Sequence, residues 1–299
     1  MKQTHAWLVT AMVLAAAAPV AVAQEGDPAV LARMQRINQE LRARGLGIAV
    51  EQIEFFTIGG GRPANRIHAQ EFRWVAGDSR RNADGDKLTY LVDQSDGATA
   101  SGLSSAQTEG AIDRALDTWQ ANRCFGRVDI VKRADSGEDP DIFDSFFGFG
   151  AFGNPFLADI TEAGWLPRAF FEAVGGPGGG RGILAFSVTF IFDDPLTGAP
   201  TDINGDNRLD TALNEVYYNN TFGQAGTDRA DRPWAIDGPP PAIDVETVAL
   251  HENGHSLELG HFGPPPSAVM NPVYAGINQD PDASDHAGMC AVWGSWPNP

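Results

Sequence analysis

Apolar positions recur with two different periods along the chain, and these periods predict helices and strands. Apolar residues three and four positions apart within residues 28–44 predict a helix, with Asp27-Pro28 as its start signal. Ser104 and Gln107 form a capping-box pattern, which predicts a second helix that extends to about Asn122. The apolar face of this second helix consists of Ile112, Ala115, Leu116 and Trp119.

Runs of β-branched and aromatic residues predict the strands of a sheet. The predicted strands span residues 48–58, 88–92, 128–131 and 183–192, with 141–143 as a further candidate. The glycine-rich residues 175–182 are predicted to form a flexible loop. The Phe-rich residues 146–156 form either an exposed loop that contacts substrate or, as we prefer, a loop with buried rings.

The acidic composition narrows the range of partners. The chain has 39 Asp and Glu residues against 21 Lys and Arg residues, which gives a formal net charge of −18. Such a surface argues against nucleic acid and anionic membranes as partners. After the N-terminus, no stretch is long and apolar enough to predict a membrane span.

The N-terminus resembles an export signal. Lys2 precedes a short apolar run at residues 6–18, and Ala21-Val22-Ala23 is a small-x-small cleavage site, so residues 1–23 are predicted to be a signal peptide. We therefore expect a secreted protein, either extracellular or periplasmic. Residues 24–80 are predicted to be an N-terminal extension or a pro-segment, and residues 81–299 the main domain.

The chain contains two cysteines, Cys124 and Cys290. Export would expose both to an oxidising environment, so we expect a disulfide between them. Two free, buried thiols are the alternative.

The most specific chemical pattern lies between His251 and His261. In the sequence H-E-x-x-H, His251 and His255 share one helix face and can bind one Zn²⁺. Glu252 can then act as the general base on a zinc-activated water. His261 would complete a set of three protein ligands and leave the fourth position open, as a catalytic zinc requires.

Glu258 is a rival third ligand, because it would share a face with His251 and His255 on a continuous helix. Seven residues, however, rise ~10.5 Å along a helix, whereas zinc–ligand bonds are ~2 Å long. We therefore select His261, and we interpret Glu258 as a surface residue or as a partner that supports a ligand.

This motif and the residues after it resemble the metzincin clan of zinc endopeptidases, in particular its matrixin-like branch. The clan pattern H-E-x-x-H-x-x-G-x-x-H is followed by a Met-turn, and Met270 stands at the place of that methionine. Pro272 and Tyr274 resemble the segment that lines the S1′ pocket. The resemblance extends over residues 88–274. It implies an α+β, zincin-like fold: a twisted mixed sheet, two main helices and a C-terminal subdomain after the third zinc histidine.

The resemblance implies a secreted zinc endopeptidase that acts on protein or peptide substrates, and we expect a monomer. It also implies that residues 214–219 form the strand that borders the substrate cleft, where an edge near 216–218 would align a peptide. Neither cysteine precedes the core, so we expect no cysteine switch. The alternative from another class is a metal-stabilised extracellular binding protein with little or no peptidase activity. The intact Glu252 argues against it.

One position departs from the family pattern. Glu258 stands where the family has a glycine that lets the chain turn out of the helix. A non-glycine residue with positive φ costs on the order of 1 kcal/mol, and we expect Gly260 to supply the turn instead.

A second metal hypothesis concerns an acidic loop. Asp202, Asn204, Asp206 and Asp210 occupy positions 1, 3, 5 and 9 of a pattern that resembles the start of an EF-hand calcium loop. The match is partial, because Leu213 stands where the bidentate acid would be. The sequence therefore leaves open a calcium site or a solvated acidic turn.

Overall fold

A mixed β-sheet organises the chain. The computed structural model describes residues 27–59, 70–81, 85–122, 124 and 128–298, so the predicted signal peptide lies outside the described residues. The strands are β1 (Ile48–Thr57), β2 (Phe72–Arg73), β3 (Leu88–Val92), β4 (Ile130–Lys132), β5 (Ile160–Leu166), β6 (Ile183–Phe192), β7 (Leu209–Asn219), β8 (Trp234–Ala235) and β9 (Ile243–Asp244). The helices are α1 (Pro28–Arg44), α2 (Ser105–Gln120), α3 (Arg168–Gly175), α4 (Gly179–Gly182), α5 (Val245–Ser256) and α6 (Ala283–Trp293). A 3₁₀ turn spans Asp144–Phe147.

The main sheet has the strand order β1-β6-β7-β5-β3-β4, and β2 pairs with the start of β7. Strands β1 and β7 each run antiparallel to β6, whereas β7, β5, β3 and β4 are mutually parallel. The predicted edge strand at residues 216–218 is wrong, because β7 lies between β6 and β5. Among the described residues, β1 instead covers the edge of β6.

Side chains alternate across the sheet and build one hydrophobic core on each face. Ala185 of β6 and Val216 of β7 join the core formed with α2 and α5. Phe186 of β6 and Tyr217 of β7 join the core formed with α1 and α3. The α+β fold class is therefore as predicted, with α2 and α5 as the main helices on one face and α6 after the third histidine of the motif.

Local signals in the sequence set the bounds of several helices. The Asp27 side chain accepts a hydrogen bond from the Ala29 N–H, and the Gln107 side chain accepts one from the Ser104 N–H at 3.0 Å. Helix α2 is tied to α5 by Trp119, whose indole N–H donates to the Leu250 carbonyl at 2.8 Å. Within the described parts of the chain, no helix is long and apolar enough to cross a bilayer.

Two local predictions were wrong. Residues 141–143 do not form a strand, because the N–H groups of Ile142 and Phe143 donate to the buried Glu215 carboxylate at 2.9 and 3.0 Å. Residues 175–182 do not form one continuous loop either, since Gly175 ends α3 and Gly179–Gly182 form the buried α4. A side chain at Gly179 would clash with the Phe171 carbonyl, so the glycine permits a close approach.

The rings of the Phe-rich stretch, residues 146–156, pack against the core on the α1 and α3 face. The rings are partly buried, which is closer to the preferred interpretation of buried rings than to an exposed loop.

Candidate metal centre

Helix α5 positions the first two histidines of the motif. It begins at Val245 because the Asp244 carboxylate accepts hydrogen bonds from the Thr247 N–H at 2.8 Å and from its hydroxyl at 2.7 Å. His251 and His255 lie one turn apart in its second half, and every residue of the helix is buried. The helix ends at Ser256, and the chain then turns back to bring His261 beside them.

The three imidazoles converge on one point. The distances between Nε2 atoms are 3.1 Å for His251–His255, 3.2 Å for His255–His261 and 3.3 Å for His251–His261. The Nδ1 atoms of His251 and His255 lie 2.7 Å from the carbonyls of Val269 and Leu259. A carbonyl can only accept, so Nδ1 carries the proton and Nε2 presents its lone pair.

These contacts match a bound metal ion better than a network of hydrogen bonds. Burial and the two neighbouring imidazoles lower the pKa of His251 well below its usual value, which favours the neutral form that ligates metals. Ligands ~2.0–2.1 Å from a tetrahedral zinc lie about 3.3–3.4 Å apart, close to the Nε2 spacings. The donor set therefore fits zinc. Within the described part of the chain, the ligand atoms of these three histidines all lie within 4.8 Å of one another, close enough to hold one metal ion.

Glu252 lies fully buried beside this group. Neither of its carboxylate oxygens has a hydrogen-bond partner within the described structure. Burial, and secondarily the nearby Glu162, raise the pKa of Glu252 well above its usual value. Glu162 is itself buried, and its carboxylate accepts hydrogen bonds at 2.6 Å from both Tyr218 and Asn253. Sequence reasoning missed these supporting residues, which come from β5, β7 and the motif helix.

Glu258 does not have the environment that either interpretation of the sequence gave it. It is fully buried, so the surface interpretation is wrong, and its side chain accepts hydrogen bonds from the Trp74 N–H and from the Thr211 hydroxyl. Glu258 itself has φ +70°, whereas Gly260 is absent from the residues with positive φ. The expectation that Gly260 makes the turn is therefore wrong, and the hydrogen bonds hold Glu258 in the left-handed conformation.

The segment after His261 packs against the motif helix and beside the candidate metal centre. Met270 is buried against Gly254 of α5, and the Asp285 carboxylate accepts hydrogen bonds from the N–H groups of Val269 and Met270 at 2.8 and 3.2 Å. Tyr274 accepts a hydrogen bond from the Asp244 N–H at 3.0 Å. Sequence reasoning did not find Asp285, which the chain brings back from α6.

A cavity of about 140 Å³ opens beside the centre. Its lining includes Thr247, Val269, Asn271, Val273, Ile277 and Asn278. Val273 is part of this lining, whereas its neighbours Pro272 and Tyr274 are not, so the pocket role of those two residues stays a prediction.

Strand β1 crosses the centre, which the sequence did not predict. An oxygen of the Glu54 carboxylate lies 3.1 Å from His261 Nδ1 and 3.7 Å from His255 Nε2. The Phe56 ring stacks on the His251 ring with centroids 3.8 Å apart and planes 10° apart. One signal was present: Glu54 is an acidic residue at a position that the strand buries, next to two phenylalanines.

The acidic loop between Asp202 and Asp210, which the sequence suggests as a calcium site, is held together by hydrogen bonds within the loop. The Asp202 carboxylate accepts from three successive backbone N–H groups, those of residues 205–207. Asp206 forms a salt bridge with Arg73 at 3.4 Å, and Asp210 forms one with Arg80 at 2.7 Å. Two arginines therefore already neutralise carboxylates that calcium would need, and a calcium site at Asp202, Asn204, Asp206 and Asp210 stays a prediction.

Cys124 and Cys290 form a disulfide with a Cα–Cα distance of 4.9 Å. The bond joins the segment after α2 to α6 across 166 residues of sequence.

Comparison with known proteins adds a family likeness to this geometry. Residues 188–294 match the family model described as Matrixin. Matrix metalloproteinase-16 of Homo sapiens is 28% identical over 178 residues, which cover 58% of this chain and 21% of that protein, and the Mus musculus protein matches equally. Karilysin of Tannerella forsythia is 43% identical over 63 residues, 21% of this chain and 12% of that protein. The chain thus spans about a fifth or less of the length of these relatives.

Proposed function

We propose that this chain, a matrixin-like metzincin, is a zinc-dependent endopeptidase that hydrolyses peptide bonds in protein substrates, with Glu252 as general base. The observation that carries the proposal is the convergence of three Nε2 atoms within 3.1–3.3 Å beside a buried carboxylate. When bound there, zinc supplies a Lewis acid that polarises a carbonyl and lowers the pKa of a water molecule.

Each chain residue has a separate task in this proposal. His251, His255 and His261 hold the ion, and the Val269 and Leu259 carbonyls fix two of the three tautomers. Burial raises the pKa of Glu252, which makes its carboxylate a stronger base. Glu252 takes a proton from water as the water attacks the scissile carbonyl, and then gives that proton to the leaving amine.

The same geometry suggests where a substrate would lie. An extended peptide would add as a strand to the edge of β6, with the Pro272–Tyr274 segment on its other side. The cavity beside Val269 would receive one of its side chains. The pattern of residues 1–23 supports export as part of this proposal.

The second candidate is the metal-stabilised binding protein. The observation in its favour is β1, which already covers the β6 edge where the first candidate needs its substrate.

The test compares casein cleavage by the wild type, Glu252→Gln and the control Glu246→Gln. Glu246 lies on the same helix but contacts the half-exposed Arg114. We expect Glu252→Gln to lower kcat/KM by about 100- to 10,000-fold, the usual contribution of acid–base catalysis, with unchanged zinc content. Glu246→Gln should retain activity. Wild-type activity in Glu252→Gln contradicts the mechanism, and zinc-loaded protein without activity in any form favours the binding protein. N-terminal sequencing of the assayed protein defines which form was measured.

A further inference from the structure

We propose that a second, acidic cavity of this chain is a binding site for an organic cation that carries several N–H donors, namely a guanidinium group. The cavity has a volume of about 170 Å³, and it shares none of its described lining residues with the cavity beside the metal centre. Three features carry the inference: the charge of the lining, the unpaired carboxylate of Asp144 and the spacing of the acids. The inference does not depend on the proposed function.

Carboxylates dominate the lining of this acidic cavity, which lies between the end of β3 and the connection from β4 to β5. No Lys or Arg is among its described lining residues. The Ser95 N–H donates to the Asp93 carboxylate at 2.7 Å, and the Ala151 N–H donates to the Asp139 carboxylate at 2.8 Å, so both acids are held in place. The acids of the lining are Asp93, Asp96, Glu138, Asp139 and Asp144.

Asp144 is the acid whose surroundings indicate a missing partner. It is 3% exposed and lines the cavity, and its Oδ1 atom has no hydrogen-bond partner among the described residues. Gly150 makes this position possible, because a Cβ there would overlap both carboxylate oxygens of Asp144. A buried carboxylate without a donor is costly unless a cation or a proton compensates its charge.

A proton shared with Asp141, the buried acid beside Asp144, is the alternative to a cation. Asp141 already accepts a hydrogen bond from the Tyr217 hydroxyl at 3.0 Å. Burial raises the pKa of Asp144 to about 6, so most of this carboxyl is still ionised at pH 7. A cation in the cavity would therefore supply what the Asp144 carboxylate lacks at neutral pH.

The spacing of the acids argues against a compact metal ion. Calcium ligands lie 2.3–2.6 Å from the ion, so any two of them are at most about 5 Å apart. In the part of the chain that the structure describes, the group that brings three ligand atoms within 4.8 Å of one another is the histidine triad, and it includes none of these acids. The carboxylates are thus spread around the cavity wall instead of converging on one point.

A guanidinium group matches acceptors that are spread in this way. It is always charged at neutral pH and presents several N–H donors in one plane. Hydrogen bonds between charged N–H groups and carboxylates are also among the strongest in proteins. One water needs only about 10–15 Å³ of cavity volume, so about 170 Å³ leaves room for a group of several heavy atoms. The shared chemistry is that of free arginine and of an arginine side chain in a peptide.

The test titrates the ¹⁵N-labelled full chain with ethylguanidinium at pH 7 and fixed ionic strength, followed by NMR. The amide signals of Ser95 and Ala151 report on the cavity, because their N–H groups donate to its acids. Tetramethylammonium has the same charge without N–H donors, and Ca²⁺ represents the compact ion. We expect ethylguanidinium to shift both signals to saturation, with a Kd at least about tenfold lower than that of either comparison cation.

The variant is Asp144→Asn, which keeps the shape of the side chain and removes its charge. It should raise the ethylguanidinium Kd at least about tenfold, the usual effect of losing one charge-assisted hydrogen bond. The control Asp117→Asn removes a charge from an exposed position of α2 and should bind like the wild type. If Asp144→Asn does not fold, as judged by circular dichroism, Asp96→Asn serves instead, because Asp96 is an exposed member of the lining, and its Kd should rise as well.

Three results overturn the inference: no saturable shift in the wild type, a Kd that is unchanged in the folded lining variant, or tighter binding of Ca²⁺ than of ethylguanidinium. Arginine and N-acetylarginine methylamide then distinguish the two sources of the ligand, since the second compound represents a side chain within a peptide. Tighter binding of either one supports the site and identifies its source. None of these measurements uses peptidase activity, so their failure leaves the proposed function standing.

Discussion

Glu258→Gly is the substitution that best tests how the chain turns between the second and third histidines. It restores the residue that the family pattern has at this position. Glycine adopts the observed φ of +70° without steric cost. Relief of the left-handed conformation should therefore contribute about 1–2 kcal/mol to stability, reduced by roughly 0.5–1 kcal/mol because glycine makes the unfolded chain more flexible.

The structure predicts that the loss is larger than this gain. Without the carboxyl group, the buried Trp74 N–H and the buried Thr211 hydroxyl lose their acceptor. A buried donor left unpaired costs about 1–3 kcal/mol. Burial raises the pKa of Glu258 to about 8, so at pH 7 hydrogen bonds rather than a buried charge decide the outcome. We expect Glu258→Gly to lower the free energy of unfolding by about 1–5 kcal/mol.

The assay is urea unfolding at pH 7 and fixed zinc concentration, followed by circular dichroism. Glu258→Gln is the matched control, because its amide oxygen can still accept from Trp74 and Thr211. It should be more stable than Glu258→Gly. A Glu258→Gly protein as stable as the wild type would show that relief of the conformational strain offsets the lost hydrogen bonds, which contradicts the prediction.

Three further predictions concern the surroundings of the site. Gly254→Ala should lower the free energy of unfolding by about 1–3 kcal/mol, because its methyl group would overlap Met270, and unchanged urea unfolding would contradict that packing. Replacing Cys124 and Cys290 with alanine should cost about 2–5 kcal/mol in unfolding under non-reducing conditions, and an unchanged midpoint would argue against the disulfide. Burial raises the pKa of Glu215 to about 8, so the folded protein binds more protons than the unfolded chain, and stability should fall as pH rises from about 4.5 to 8. Glu215→Gln should flatten this pH dependence of stability, and an unchanged slope would contradict it.

The sequence predicted the elements whose signals are local. The capping residues of α1 and α2 and the ten-residue apolar run of β6 led to nearly correct bounds. The spacing of His251, His255 and His261 likewise predicted which side chains converge, because helix periodicity places the first two on one face. These features depend on neighbours in sequence, which the pattern of residues records directly.

Features that depend on distant partners were not predictable in this way. Alternation shows that a strand is buried but not which strand lies beside it. The position of β1 on the β6 edge, and with it the contact of Glu54 with His261, therefore needed the structure. Glu258 was misplaced for the same reason, since its partners Trp74 and Thr211 are 184 and 47 residues away.

The pairing of β1 with β6 also has a consequence for solubility. Strand β6 is buried along its whole length, and among its ten residues, ILAFSVTFIF, there is no charge and no proline. Sheet edges that natural proteins leave open usually carry charged residues or proline, because a long apolar edge can pair with another chain and start aggregation. A form of the chain that released β1 would expose this edge, and self-association would then compete with the binding of any peptide. The strand that crosses the candidate metal centre therefore also covers the edge at which this chain would be most prone to aggregate.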